Sequence, residues 1–268
     1  MTKYSDYDPD ILRVGHLLAD AARAATLPYF RNAGLSEDNK DAGGFDPVTE
    51  ADRAAERAMR EILARERPDD AILGEEYGRD TGKSGLTWVL DPIDGTRGFI
   101  SGTPTWGVLI AVSRDEGPFF GVIDQPYIAE RFIGTPGGAW MTGPMGTRDL
   151  RTRPPRDLSQ ATVFTTFPEL GSADEAGGFA GVAGRARLTR YGMDCYAYAL
   201  VASGQVDLVI EAGLQAYDIQ APIAVVQAAG GIVTDWQGGP AHDGGRAIAA
   251  ANAEIHAQAL EILRKVPA

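Results

Sequence analysis

The chain has 268 residues, 44% of them hydrophobic and 23% charged, the makeup of a soluble globular protein with one large domain or two closely packed halves. Its formal net charge of −12 argues against nucleic acid as a partner, because binding a phosphate backbone needs clustered Lys and Arg. A single cysteine, Cys195, excludes an intrachain disulfide; with no apolar leader and no apolar run long enough to span a bilayer, the expectation is a cytoplasmic protein without membrane contact.

In chain order, Asp8-Pro9 reads as the N-cap and first position of an Ala/Leu-rich helix running to about Phe30. Residues 32–45 are polar and contain Gly, so they read as a loop. Thr49-x-x-Asp52 resembles a capping box and opens a second helix, with Ala51, Ala55, Ala58 and Ile62 on one face and Pro68 as its stop. Residues 71–74 form a short strand that runs straight into Glu75-Glu76.

The segment Trp88-Val89-Leu90-Asp91-Pro92-Ile93-Asp94-Gly95-Thr96 is the most informative of the chain. Its apolar start reads as the end of a buried strand. Pro92 lacks an N–H and prevents a regular continuation, Gly95 permits positive φ, and Thr96 can cap a following helix. The bend collects two carboxylates and the Ile93 carbonyl, oxygen donors of the kind that hard divalent cations prefer. Taken alone, the same residues also make an ordinary surface turn.

Residues 106–142 read as a meander with strands near 106–113, 118–124, 130–134 and 139–142. A basic, Pro-rich connection at 143–159 divides the chain into an N-terminal half, 1–150, and a C-terminal half, 151–268, together one catalytic unit. The second half reads as strands near 161–167, 186–190, 205–210 and 231–236 and helices near 194–203, 218–229 and 253–264, with a mobile loop at 171–178. His16, His242 and His256 lack metal-ligand spacing and read as surface residues. The mixture of helices and antiparallel strands predicts layered packing and no Rossmann sheet.

Carboxylates recur at element boundaries: Asp46, Glu75, Asp91, Asp94 and Asp218. Singly, Asp46 and Asp218 are ordinary helix caps, and Glu75 is an ordinary turn residue. Together, Gly74-Glu75-Glu76, then Asp91-Pro92-Ile93-Asp94-Gly95-Thr96, then Tyr217-Asp218 followed by Ala229-Gly230-Gly231, resemble the three signatures of the inositol monophosphatase superfamily in order and spacing.

The resemblance implies an α+β layered sandwich (αβαβα), like that of inositol monophosphatase and fructose-1,6-bisphosphatase, and a Mg²⁺-dependent phosphomonoesterase. It implies two or three Mg²⁺ ions, with Mn²⁺ as an alternative, held by Glu75, Asp91, the Ile93 carbonyl, Asp94 and Asp218. Two cations roughly 3.5–4 Å apart are a known solution for hydrolysing phosphate esters. Asp46, Thr96 and Glu75 take the catalytic roles in this resemblance: Asp46 orients the Thr96 hydroxyl, which orients the attacking water. Lys40 matches a lysine near a third metal position, with a solvated loop lysine as the alternative. The N–H groups of Gly95 and Thr96 are placed to bind a phosphate oxygen. A homodimer acting on a small phosphate monoester is also implied.

Two segments carry the substrate reading. Arg97-Gly98-Phe99-Ile100-Ser101-Gly102 and Gly192-Met193-Asp194-Cys195-Tyr196-Ala197-Tyr198 depart from the inositol phosphatase pattern and resemble the histidinol-phosphatase branch. This implies hydrolysis of L-histidinol phosphate to histidinol and phosphate, a step of histidine biosynthesis; the alternative is an inositol or broad sugar or nucleotide monophosphatase. The substrate side is expected to comprise Asp94, Gly95, Thr96, Gly192, Asp194, Glu211 and Asp218. Asp194 and Glu211 are candidates for the amine and imidazole end; Asp194 reads equally as an N-cap.

Overall fold

The computed structural model describes residues 9–32, 37–39 and 47–267. The first half comprises α1 (Pro9–Thr26), β1 (Glu37–Asn39), β2 (Pro47–Thr49), α2 (Glu50–Glu66), β3 (Ala71–Gly74), β4 (Gly78–Asp80), β5 (Thr87–Asp94), α3 (Thr96–Ser101), β6 (Gly107–Arg114), β7 (Gly117–Gln125), β8 (Glu130–Thr135), β9 (Gly138–Gly143) and β10 (Gly146–Asp149). The second comprises β11 (Thr162–Thr165), α4 (Ala173–Ala183), β12 (Leu188–Tyr191), α5 (Asp194–Ala202), β13 (Leu208–Leu214), α6 (Ala216–Ala228), β14 (Ile232–Thr234), β15 (Gly245–Ala250) and α7 (Ala253–Leu263).

Side-chain alternation in the strands sets the layers. Trp88, Leu90, Val108, Ile110 and Val112 point into a core shared with α1 and α2, while Val89, Leu109 and Ala111 point into a second core with α5 and α6. The second core also takes Val209, Ala247 and Ala249; on the far side of their sheet, Leu208, Ile210 and Ile248 pack with α4 and α7. The five layers are therefore helices, an eight-stranded sheet, helices, a five-stranded sheet and helices, the expected αβαβα order. The strand orders are β10-β9-β8-β7-β6-β5-β3-β4 and β12-β11-β13-β15-β14. Both sheets are mixed, with β3 parallel to β5 and β11 parallel to β12 and β13. Helix α6 packs across β6, β7 and β8, so the second half is seated on the first sheet.

Several expectations need correction. Helix α1 stops at Thr26, whose hydroxyl donates to the Ala22 carbonyl, and residues 27–31 form turns. The buried face of α2 is Ala51, Asp52, Ala55, Glu56, Met59 and Leu63; Ala58 and Ile62 lie at its margin, because two carboxylates take positions that an apolar pattern skips. Residues 171–178 run into α4, whose Ser172 and Glu175 form a reciprocal capping box. Strands β1, β2, β4, β10 and β15 were not anticipated, and β1 lies within the segment 32–45 read as a loop; its pairing with β2 comes from a partner strand ten residues on, which a polar local composition does not signal. Asp8, proposed as a cap, lies outside the described residues. Among the described residues no helix is long and apolar enough to cross a membrane.

Candidate active site

The centre forms where β5 loses its regular neighbours. Strand β3 accompanies β5 only as far as Leu90, and on the other side Asp91 pairs Leu109 while Asp94 pairs Gly107. Pro92 and Ile93 thus stand opposite the single residue Val108, a bulge that lets the strand pass its proline and continue to Asp94, beyond the end expected at Leu90. The bulge places Asp91, Asp94 and, from α6, Asp218 so that one carboxylate oxygen of each lies within 4.8 Å of the others.

Each of these carboxylates is oriented by a main-chain N–H. Ile93 donates to Asp91 at 3.1 Å, Cys195 to Asp94 at 2.6 Å, and Gln215 to Asp218 at 2.7 Å. Asp218 is the third residue of α6 and part of a reciprocal cap with Gln215. Its capping role and its place in the cluster coexist.

The electrostatics fit a cation. Burial, followed by the charges of Glu75, Asp94, Asp218 and Asp52, holds the Asp91 carboxyl well above the usual range. Burial, followed by Asp194 and Asp218, raises Asp94 in the same way, partly offset by hydrogen bonding at Cys195. Buried like charges this close do not all ionise unaided. A divalent cation between them reverses the balance, and an all-oxygen donor set is the kind Mg²⁺ or Mn²⁺ takes.

Glu75 follows β3, and its N–H donates to the Leu90 carbonyl at 3.2 Å, which ties it beside β5. Glu75 is the largest charge contribution to the Asp91 shift, although it stands outside the tight three-residue cluster. The turn after it is held by Glu56 of α2, fully buried, which accepts from Glu76 N at 2.7 Å and Tyr77 N at 3.2 Å and pairs with Arg60 at 2.7 Å. A Cβ at Gly74 would lie 2.0 Å from Glu56 Oε1, so only glycine admits this carboxylate. Glu56 and Asp52 were missed as contributors. The available signal was their i, i+4 spacing on the apolar face of α2.

Gly95 has φ +86° and is itself the N-cap of α3; Thr96 is the first helical residue and makes no cap bond, contrary to expectation. Its hydroxyl instead donates to the Ile93 carbonyl at 3.2 Å. With six residues, α3 is too short to act as a strong dipole.

From the second half, Asp194 enters over Gly95: a Cβ there would lie 2.8 Å from Asp194 Cγ. Asp194 is not an N-cap; Met193 holds that position, and Asp194 takes φ +42°, which Asp tolerates better than most residues. Burial pushes its carboxyl up to about 6, with Arg97 opposing. Glu211 is buried and accepts from Thr165 Oγ1 at 3.1 Å, Thr166 N at 2.7 Å and Thr166 Oγ1 at 3.0 Å. Burial pushes Glu211 to about 7 despite these bonds. A cleft of about 220 Å³ is lined by Asp94, Asp218, Asp194, Glu211, Tyr198 and Phe167, among others.

Gly192 is exposed, and its N–H donates to the Thr165 and Thr166 carbonyls at 3.3 and 3.0 Å. It steadies the chain before Asp194 and is not among the lining residues. Cys195 is buried, with its thiol raised by burial and by Asp94, as a small packed side chain. Asp46 and Lys40 lie outside the described residues, as does the side chain of Thr49. The three histidines are half-buried and not surface residues: His16 meets Arg131 at 3.0 Å, His256 meets Thr234 at 2.8 Å, and His242 lies beside Gly117.

Comparison with known proteins places this geometry in context. The family model described as the inositol monophosphatase family matches residues 10–268. The chain is 42% identical over 261 residues to a chloroplastic bifunctional phosphatase of Arabidopsis thaliana, covering 93% of this chain and 74% of the relative. It is 35% identical over 267 residues to a histidinol-phosphatase of Streptomyces coelicolor, covering 96% and 97%, and 33% identical over 263 residues to an inositol-1-monophosphatase of Caulobacter vibrioides, covering 92% and 99%. Among solved structures, an inositol monophosphatase from Zymomonas mobilis superposes with TM-score 0.84 at 40% identity, covering 95% of this chain and 98% of that one.

Proposed function

Since the chain belongs to the inositol monophosphatase family and is a phosphatase of that family, we propose that it hydrolyses L-histidinol phosphate to L-histidinol and phosphate with Mg²⁺. The observation that carries the substrate choice is Asp194, a half-buried carboxylate placed over Gly95 in the same cleft as Asp94 and Asp218. An ester whose alcohol carries an amine and an imidazole supplies donors and positive charge for that carboxylate. A neutral polyol supplies hydroxyls but no charge. Relatives named histidinol-phosphatase in Streptomyces coelicolor and Mycobacterium tuberculosis, each 35% identical, support the reading. Relatives named inositol-1-monophosphatase, 33–34% identical, support the second reading, an inositol or sugar monophosphatase.

In this reading Asp91, Asp94 and Asp218 hold the cations, with Glu75 and the Ile93 carbonyl completing the set. Bound Mg²⁺ supplies charge neutralisation for the phosphoryl oxygens and makes water a better nucleophile at neutral pH. The chain's own residues supply position. The N–H groups of Ile93, Cys195 and Gln215 fix the three carboxylates before any ligand arrives. Thr96, which follows the bulge and its glycine, orients the attacking water through its hydroxyl, and the family resemblance gives Asp46 the part of orienting that hydroxyl. Asp194 orients the alcohol end.

The test is the specificity ratio. Purified protein with Mg²⁺ should show a higher kcat/KM for histidinol phosphate than for inositol monophosphate, and Asp194→Asn should collapse that preference. A preference for inositol monophosphate favours the second reading instead.

A further inference from the structure

We propose that Phe167, stacked by Arg97, is a specificity-determining residue: its ring forms a flat wall of the cleft against which a planar, π-bearing alcohol group of the substrate lies. The inference rests on the reading of this cleft as a phosphomonoesterase centre and deepens it.

Phe167 is a large apolar residue left 40% exposed, and it lines the cleft together with Asp94, Asp218 and Asp194. Arg97 Cζ lies 4.7 Å from the centre of its ring, a cation–π distance. Arg97 directly follows Thr96 on α3, whereas Phe167 lies in the loop after β11. Their contact therefore ties the ring to the helix that begins at the carboxylate centre.

The main chain at Phe167 is fixed on both sides. Before it, the Thr166 N–H and hydroxyl donate to Glu211 Oε1, and the Thr165 hydroxyl donates to Oε2. After it, Pro168 disfavours the helical region for Phe167. These bonds give Glu211 a different part from the one the sequence suggests: it positions the loop. A ring with two torsions on a pinned backbone loses little entropy when a ligand stacks on it.

A fixed aromatic ring that shares a cleft with a half-buried carboxylate matches a flat ring that carries N–H donors. A saturated polyol presents hydroxyls around its rim and has no π face to stack.

The test is steady-state kinetics with three esters: histidinol phosphate, imidazolylethyl phosphate, which has the ring without the amine, and glycerol phosphate, which has neither. In Phe167→Leu, which keeps apolar bulk but removes the ring, KM for both ring-bearing esters should rise about three- to tenfold, the size of a lost aromatic pair, with kcat little changed and glycerol phosphate kinetics within about twofold. Phe167→Tyr should restore the wild-type values. An equal rise for glycerol phosphate, or no rise for the ring-bearing esters, overturns the proposal. If the wild type turns over none of the three, the phosphomonoesterase reading itself fails, so the two failures are told apart.

Discussion

The N–H of Cys195, at the start of α5, donates to the Asp94 carboxylate at 2.6 Å, so the second half of the chain orients a carboxylate carried by the first. The same helix start swings Asp194 over Gly95. One contact between α5 and the end of β5 therefore orients Asp94 and brings Asp194 into the cleft.

Asp94→Asn keeps a carbonyl oxygen for the Cys195 N–H but removes a half-buried charge that is crowded by Asp194 and Asp218. The metal-free variant should melt at or above the metal-free wild type at neutral pH, by calorimetry, because a destabilising repulsion is gone. Its kcat/KM with Mg²⁺ should fall at least about 100-fold, since a ligand is lost. A variant that is both active and less stable would remove Asp94 from the centre.

Gly95→Ala puts a Cβ 2.8 Å from Asp194 Cγ at a φ of +86°. The left-handed backbone alone costs about 1–2 kcal/mol. Melting temperature should drop, and KM for histidinol phosphate should rise as Asp194 is displaced. An alanine variant with unchanged stability and KM would contradict the close approach.

Thr96→Ala removes the hydroxyl that reaches the Ile93 carbonyl. A part-buried neutral hydrogen bond is worth about 0.5–1.5 kcal/mol, so the fold should survive. The expected result is a lower kcat, nearly unchanged Mg²⁺ affinity by titration calorimetry, and partial rescue by Thr96→Ser. An unchanged kcat removes Thr96 from the mechanism.

Stability of the metal-free protein should fall as pH rises. Burial lifts Glu211 from its ordinary 4.5 to about 7, so its protonated form is favoured in the folded state. That stabilisation is complete below the unfolded value near 4.5 and is lost as pH rises through about 7. Asp194, raised to about 6, acts in the same direction. The chelated protein should therefore melt lower at about pH 8 than at about pH 5, and Glu211→Gln should flatten the decline. A melting temperature that rises over this range would contradict the assignment.

The carboxylate centre was legible because its three segments carry their chemistry locally. An apolar run ending in Asp91-Pro92-Ile93-Asp94-Gly95 encodes its own bulge and turn, and Asp218 stands in the first turn of an apolar helix. What joins the segments was not legible. Nothing local ties Cys195 to Asp94, or Phe167 to Arg97, because these contacts are made by layers packing across α5 and β11. Helix α4 was obscured by Gly177, Gly178 and Gly181, although Ser172 and Glu175 marked its start. Strand β15 was hidden because it is rich in Ala; it lies between β13 and β14, where small residues pack well but carry little strand propensity. The buried Glu56 broke the apolar pattern of α2 for a reason only the β3–β4 turn supplies.

The most direct test of the account is phosphate release from histidinol phosphate by the wild type and Asp91→Asn, each measured after chelation and after Mg²⁺ is restored. The account predicts turnover in the wild type only with Mg²⁺ and none in Asp91→Asn under either condition, with both proteins folded by circular dichroism. Turnover without a divalent cation, or turnover that survives the loss of the Asp91 carboxylate, would contradict it.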